Sequence, residues 1–309
     1  MAAASPSSAP AEQAFTFGCD NEHLVGVLHL PTEDTSRAQI GVLIVVGGPQ
    51  YRAGSHRQFV LLARALATAG HSVLRFDTRG MGDGSGAQRS FEQFDDDIAA
   101  AVDELLRRSP TVRRVVLWGL CDGASAALLY LHGRRDPRVS GLCLANPWVR
   151  SEQTLAQTQV KHYYTRRLRE KGFWLKLLRG GVGLGALRGL GRTLQTARRN
   201  GGRAHPETGA ASIADYRQRM LGAWQGFAGP VLLILSGEDL TAREFCEYST
   251  ANPDWMRLLR SDSLKREDLL GLDHTFSSAA ARDRVAELTA SWLATAFGTP
   301  GPAAAAQRG

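Results

Sequence analysis

Residues 113–131 read RRVVLWGLCDGASAALLYL. Val115–Leu120 is a continuous apolar run of strand length, and the alanine- and leucine-rich stretch from Asp122 to His132 has the length and composition of a helix. Between them stands Gly119-Leu120-Cys121-Asp122-Gly123, the G-x-S-x-G pattern with cysteine in the serine place. Two glycines permit a turn too tight for residues with a Cβ, and such a turn lifts the central side chain above the carboxyl end of the strand. That place is also a helix N-terminus, where the dipole favours an anion and a thiol should ionise more readily. The backbone N–H of Asp122 would point at a developing oxyanion. Cys121 is therefore the candidate nucleophile. The plainer alternative is a small buried cysteine at a strand–helix turn.

A nucleophile needs a base, and the base needs an orienting acid, in the chain order nucleophile, acid, histidine. The apolar run Val231–Ser236 ends in Gly237-Glu238-Asp239, which puts a carboxylate at a strand end. Asp239 is the candidate acid and Glu238 the fallback. Near the C-terminus, Gly271-Leu272-Asp273-His274-Thr275-Phe276 sets His274 in a loop before the last helix, as candidate general base. Of the other histidines, His56 is the competitor, and it precedes the nucleophile. A second oxyanion donor should come from Val46-Gly47-Gly48-Pro49-Gln50, with Gly48 N–H first by register and Gln50 second. Gln50 and Tyr51 are candidate substrate contacts. The plainer alternative for this stretch is an ordinary tight turn.

Around these motifs, strand-like and helix-like segments alternate. Phe15–Cys19 and Leu24–Leu30 suggest an opening hairpin about Asp20-Asn21. Ile40–Val46 reads as a buried parallel strand, Gln58–Ala69 as a helix and His71–Phe76 as the next strand. Ser90 with Gln93 suggests a capping box for a helix through Arg108. Val139–Ala145 is a further strand, Leu269–Leu272 the end of a last one, and Ala279–Phe297 a C-terminal helix. This predicts an α/β fold, a mostly parallel sheet covered on both faces. The glycine-dense loop Asp77–Gly86 has neither a G-x-G-x-x-G register nor a Walker Lys-Ser pair, so it reads as a structural loop held by Asp77 and Arg79. Residues 1–13 and 299–309 read as disordered tails. The core is then 14–149 plus 230–298, interrupted by an insertion at 150–229 where a helical cap would sit.

Composition narrows the function. The chain has 309 residues, 43% hydrophobic and 22% charged, enough for a sizeable core. No apolar run approaches the roughly 20 residues of a membrane span, and residues 1–13 lack the features of a secretion signal. The four cysteines (Cys19, Cys121, Cys143, Cys246) lack metal spacing, so no zinc site or disulfide framework is expected, and a cytoplasmic location is the default. The net charge is +7, yet residues 151–229 carry fourteen basic against four acidic residues. The basic block lies away from the catalytic-looking motifs, so nucleic acid is a poor partner. An acidic substrate, peripheral contact with an anionic surface, an acidic partner or a solvated basic face remain open.

The chain resembles the α/β-hydrolase superfamily and, within it, the exosortase A system-associated hydrolase 1 group. The resemblance rests on GVLIVVGGPQYRAGSHRQFVLLARALA (41–67), VLRFDTRGMGD (73–83), VVLWGLCDGASAALLY (115–130), LANPWVR (144–150), KHYYTRRL (161–168) and LLILSGEDLTAREF (232–245), and spans about residues 15–295. It implies an eight-stranded-type sheet and a supporting role in an exported-polymer or protein-sorting system. It names no substrate. Cysteine at the nucleophile departs from the wider superfamily, as in dienelactone-hydrolase-like enzymes.

The combined expectation is an ester or thioester hydrolase that forms a covalent acyl-enzyme on Cys121, with no metal or organic cofactor. Its substrate would be a small or carrier-linked acyl compound, anionic if the basic cap binds it. An acyltransferase with the same triad, or a non-catalytic protein docking through the cap, are the alternatives. The sequence leaves the oligomeric state open.

Overall fold

The computed structural model describes residues 10–31, 38–48, 50–150 and 208–298, with the backbone alone over 208–215. Its strands are β1 (Ala11–Cys19), β2 (Glu22–Leu30), β3 (Ile40–Val45), β4 (Val73–Asp77), β5 (Arg114–Leu120), β6 (Val139–Ala145), β7 (Val231–Ser236) and β8 (Leu264–Leu269). Its α-helices are α1 (Gln58–Thr68), α2 (Asp95–Arg108), α3 (Asp122–Arg134), α4 (Thr208–Gly226), α5 (Leu240–Thr250), α6 (Pro253–Leu258) and α7 (Ala279–Phe297).

The strands form one eight-stranded sheet in the order β1-β2-β4-β3-β5-β6-β7-β8. The β1–β2 and β2–β4 pairs are antiparallel, and every pair from β4–β3 to β7–β8 is parallel. The β-branched run of β3 is buried throughout, as a central strand covered on both faces requires. Alternation sorts its side chains. Ile40, Val42 and Ile44 join Val116, Trp118, Leu232 and Ile234 in one core with Phe59, Leu62 and Leu66 of α1 and Val285 and Leu293 of α7. Helices α2 and α3 pack against one another. The β8 edge carries Lys265, Arg266, Glu267 and Asp268, charges that discourage pairing with another chain.

The structure corrects several expected boundaries. Residues 11–13 belong to β1, pairing with Leu28–Leu30, and are not tail. Ser90 caps a 3₁₀ turn (Phe91–Gln93) by accepting from Glu92 N–H, and α2 begins later, where Asp95, Asp96 and Asp97 complement the helix dipole. The last strand ends at Leu269, so of the expected Leu269–Leu272 only the first residue belongs to it.

The chain divides into two units, residues 1–149 with 218–309, and residues 150–217. The division therefore falls at Gln218, within α4, and not near 229. In the second unit the Tyr216 hydroxyl donates to the Arg150 carbonyl at 2.9 Å. The rest of the expected cap (151–207), the tail residues 1–9 and 299–309, and Pro49 lie outside the described residues. Among the described residues no helix is long and apolar enough to cross a membrane.

Candidate active site

The three candidate residues leave the sheet at its carboxyl edge, from β5, β7 and β8. Cys121 lies between β5 and α3 with φ 61° and ψ −126°, a conformation that costs a residue with a Cβ of the order of 1–3 kcal/mol. Close backbone approach enforces the turn. A Cβ on Gly119 would come within 2.5 Å of Ala124 N, and one on Gly123 within 2.4 Å of the Val45 carbonyl oxygen. Cys121 N–H donates to the Ala145 carbonyl at 2.9 Å, and its own carbonyl accepts from Ala124 and Trp148 N–H. These bonds hold the strained residue from β6 as well as from α3. The thiol is half-buried and packs against the α1/α7 core.

Asp239 serves two partners. As the residue preceding α5, its carboxylate accepts from Thr241 N–H at 3.0 Å and Ala242 N–H at 3.3 Å, capping the helix. Its Oδ2 also lies 2.8 Å from His274 Nδ1. A carboxylate only accepts, so Nδ1 carries the proton and Nε2 is left as a proton acceptor. The fallback Glu238 is exposed and faces Arg243 at 3.7 Å. The two loops are stitched together by Glu238 N–H donating to the Leu272 carbonyl at 3.0 Å. Beside the histidine, Asp273 accepts from Thr275 and Ser277 N–H, and the Ser277 hydroxyl holds its carboxyl below the ordinary range. Phe276, buried at φ 52°, closes the turn. His56 is exposed in the 3₁₀ turn Ser55–Arg57.

The loop after β3 brings Gly48 to the elbow, but its N–H donates to Asp122 Oδ2 at 2.7 Å. The expected second oxyanion donor is thus engaged by a side chain. Gln50 Oε1 accepts from Ser55 N–H at 3.4 Å, and Tyr51 is about half exposed. Asp77, buried at the end of β4, anchors this loop by accepting from Arg52 N–H at 2.6 Å and from the Arg52 guanidinium. It also accepts from Asp83 N–H at 3.0 Å, tying down the glycine-dense loop. Arg79, expected to share that work, is buried against Asp97, with Asp20 on its outer side. Two organisers escaped the sequence reading. One is Arg52. The other is Asn146, whose amide bridges β6 to Ser236 of β7 through bonds of 2.8 and 3.0 Å. Only LANPW at the end of a strand hinted at it.

The other cysteines fit supporting places. Cys143 is fully buried and its thiol pKa is driven up by desolvation, Cys19 is pushed up to about 11 by burial, and Cys246 is raised for the same reason. No three or more His, Cys, Asp and Glu side chains among the described residues gather as a metal site. A cavity of about 730 Å³ lies at the opposite end of β6, beside His132, Arg135 and Phe227, and shares no residue with the elbow.

Comparisons with known proteins agree with the fold. Est1E of Butyrivibrio proteoclasticus, solved with ferulic acid, superposes with a TM-score of 0.61 at 16% identity over 92% of this chain and 100% of that one. An esterase of Pyrococcus furiosus gives 0.60 at 13% identity over 94% and 92%. A dienelactone hydrolase of Anabaena variabilis gives 0.57 at 16% identity over 94% and 99%. At such identities the likeness is one of fold. None of the curated proteins matches the sequence. The family profile described as serine aminopeptidase, S33 matches residues 40–239, from β3 through the elbow to the aspartate after β7. The chain therefore belongs to this α/β-hydrolase family.

Proposed function

We propose that the protein hydrolyses an ester or thioester by acyl transfer to Cys121. The observation that carries this reading is the 2.8 Å bond between His274 and Asp239, at the sheet edge where a strained glycine-flanked turn raises Cys121. Cys121 Sγ attacks the carbonyl carbon, forming the S–C bond, while the thiol proton passes to His274 Nε2. The bond to the leaving oxygen or sulfur then breaks, and that atom takes the proton. Water, deprotonated by the same ring, hydrolyses the acyl-enzyme and regenerates the thiol. Asp239 holds the imidazole tautomer and supports the imidazolium. Asp122 N–H and Gly48 N–H serve the oxyanion, and Gln50 and Tyr51 contact substrate. The scheme needs no cofactor.

The basic excess at 150–229 supports an anionic acyl substrate under a cap, and the quoted sequence motifs support a place beside an exosortase-type export system. The test is single-turnover acylation with activated esters and thioesters, followed by peptide mapping. The acyl group should appear on Cys121 in the native protein and vanish in Cys121→Ala. Acylation elsewhere, or none, sinks the reading. Turnover of an anionic substrate should fall with added salt. Product analysis with sugar or amine acceptors separates hydrolysis from transfer.

A further inference from the structure

Asp122 is usually of interest in such a turn only for its amide, yet here its side chain occupies the ground the amide serves. The carboxylate bends back over the first turn of α3 and takes Gly48 N–H at 2.7 Å. It fits because residue 47 is glycine: a Cβ there would stand 2.0 Å from Asp122 Oδ1 and 2.2 Å from Gly123 N. Oδ1 is buried with no well-aligned donor among the described residues, a costly placement for a carboxylate oxygen. The groups facing it are the amides of Gly48, Asp122 and Gly123, and more distantly His274. Burial outweighs these and raises the carboxyl above its ordinary range.

We propose that the Asp122 side chain fills the oxyanion site of the resting protein and must swing out of it before Cys121 can be acylated. The inference rests on the Cys121 reading given above. Its chemistry is simple. A carbonyl oxygen gaining negative charge cannot share Gly48 N–H with a carboxylate, because like charges at that distance repel and the donor is already used. Asp122 is then a specificity-determining residue. Substrates bringing binding energy from remote groups can offset its displacement, and small esters cannot.

The test compares native protein, Asp122→Ala and Asp122→Asn in single-turnover acylation by p-nitrophenyl acetate, read as intact mass and as nitrophenolate release. Losing one oxyanion donor costs about 10²–10³ in rate, so freeing one should accelerate Asp122→Ala about tenfold or more. Asp122→Asn removes the charge but keeps an acceptor for Gly48, and should fall between. The Gly48 amide proton, assigned by NMR, should move upfield in Asp122→Ala, which reads the contact independently of rate. Acylation of Cys121 in native protein with equal or slower acylation in a folded Asp122→Ala overturns this inference alone. An unmoved Gly48 proton overturns it as well. No acylation of Cys121 in any of the three overturns both this inference and the reading beneath it.

Discussion

The Asp239 carboxylate holds His274 Nδ1 at 2.8 Å while capping α5, so one side chain joins the imidazole to the start of a helix. The two roles separate by substitution. Asn is as good a cap as Asp, whereas Ala forfeits about 1 kcal/mol. Asp239→Asn should therefore unfold at nearly the native temperature, yet lose turnover steeply, approaching ~10⁴-fold, because an amide does not enforce the tautomer. Asp239→Ala should lose both. Thermal unfolding and ester turnover on the same samples check this, and an active Asp239→Asn would remove the residue from the chemistry.

The four thiols should react in a fixed order. Burial pushes Cys19, Cys143 and Cys246 above the ordinary thiol range. Cys121 alone stands at a helix N-terminus beyond a strand end. Limited treatment with iodoacetamide near neutral pH should label Cys121 first, and His274→Ala should slow that labelling without changing the other three. Preferential labelling of Cys246 would count against an activated Cys121.

How far the sequence spoke depends on periodicity. β3, β5 and β7 are dominated by apolar residues, with glycines at or just beyond their carboxyl ends, and the elbow announces itself because a strand, two glycines and an alanine-rich helix coincide. Ala279–Phe297 was legible to the residue. β8 was not, because LKREDL is an exposed edge whose charges hide any alternation. Asp239 and His274 could be named from strand ends and chain order, but their meeting across 35 positions is tertiary. Asp122 and Arg52 show the limit most clearly. Both are charged residues in glycine-rich surroundings, and nothing local tells a solvated charge from one engaged by a distant partner, the Gly48 amide for Asp122 and the Asp77 carboxylate for Arg52.

Asp77 offers a test of loop anchoring. It is buried, and it receives both the N–H and the guanidinium of Arg52. Removing Asp77 takes the acceptor from the Arg52 and Asp83 N–H groups and leaves the Arg52 guanidinium only the exposed Asp83 at 2.7 Å, so Asp77→Ala should lose about 3 kcal/mol. The loop carrying Gly48, Gln50 and Tyr51 would loosen with it. Urea unfolding should report the first effect and a raised KM the second. A native KM in a folded Asp77→Ala would show that the loop is held by other means.

Acid should destabilise the protein through two buried imidazoles. Arg75 Nε–H donates to His29 Nε2 at 2.8 Å, which requires that nitrogen to be an acceptor and the ring neutral. Burial, with help from the Arg75 charge, lowers the His29 pKa to about 4, against partial compensation from Glu12 at 3.7 Å. His71, buried with Nδ1 at 3.0 Å from the Ile40 carbonyl, is lowered by burial too. Both rings take up protons more readily in the unfolded chain, near pH 6.5. Stability is therefore fully present above that pH and falls as pH drops toward about 4, with at most about 3 kcal/mol from His29. His29→Gln keeps an acceptor for Arg75 but cannot titrate. Urea unfolding at pH 7, 5.5 and 4.5 should show a shallower loss in that variant, the remainder coming from His71. Identical slopes in the native and variant proteins would mean that His29 is not held neutral by the fold.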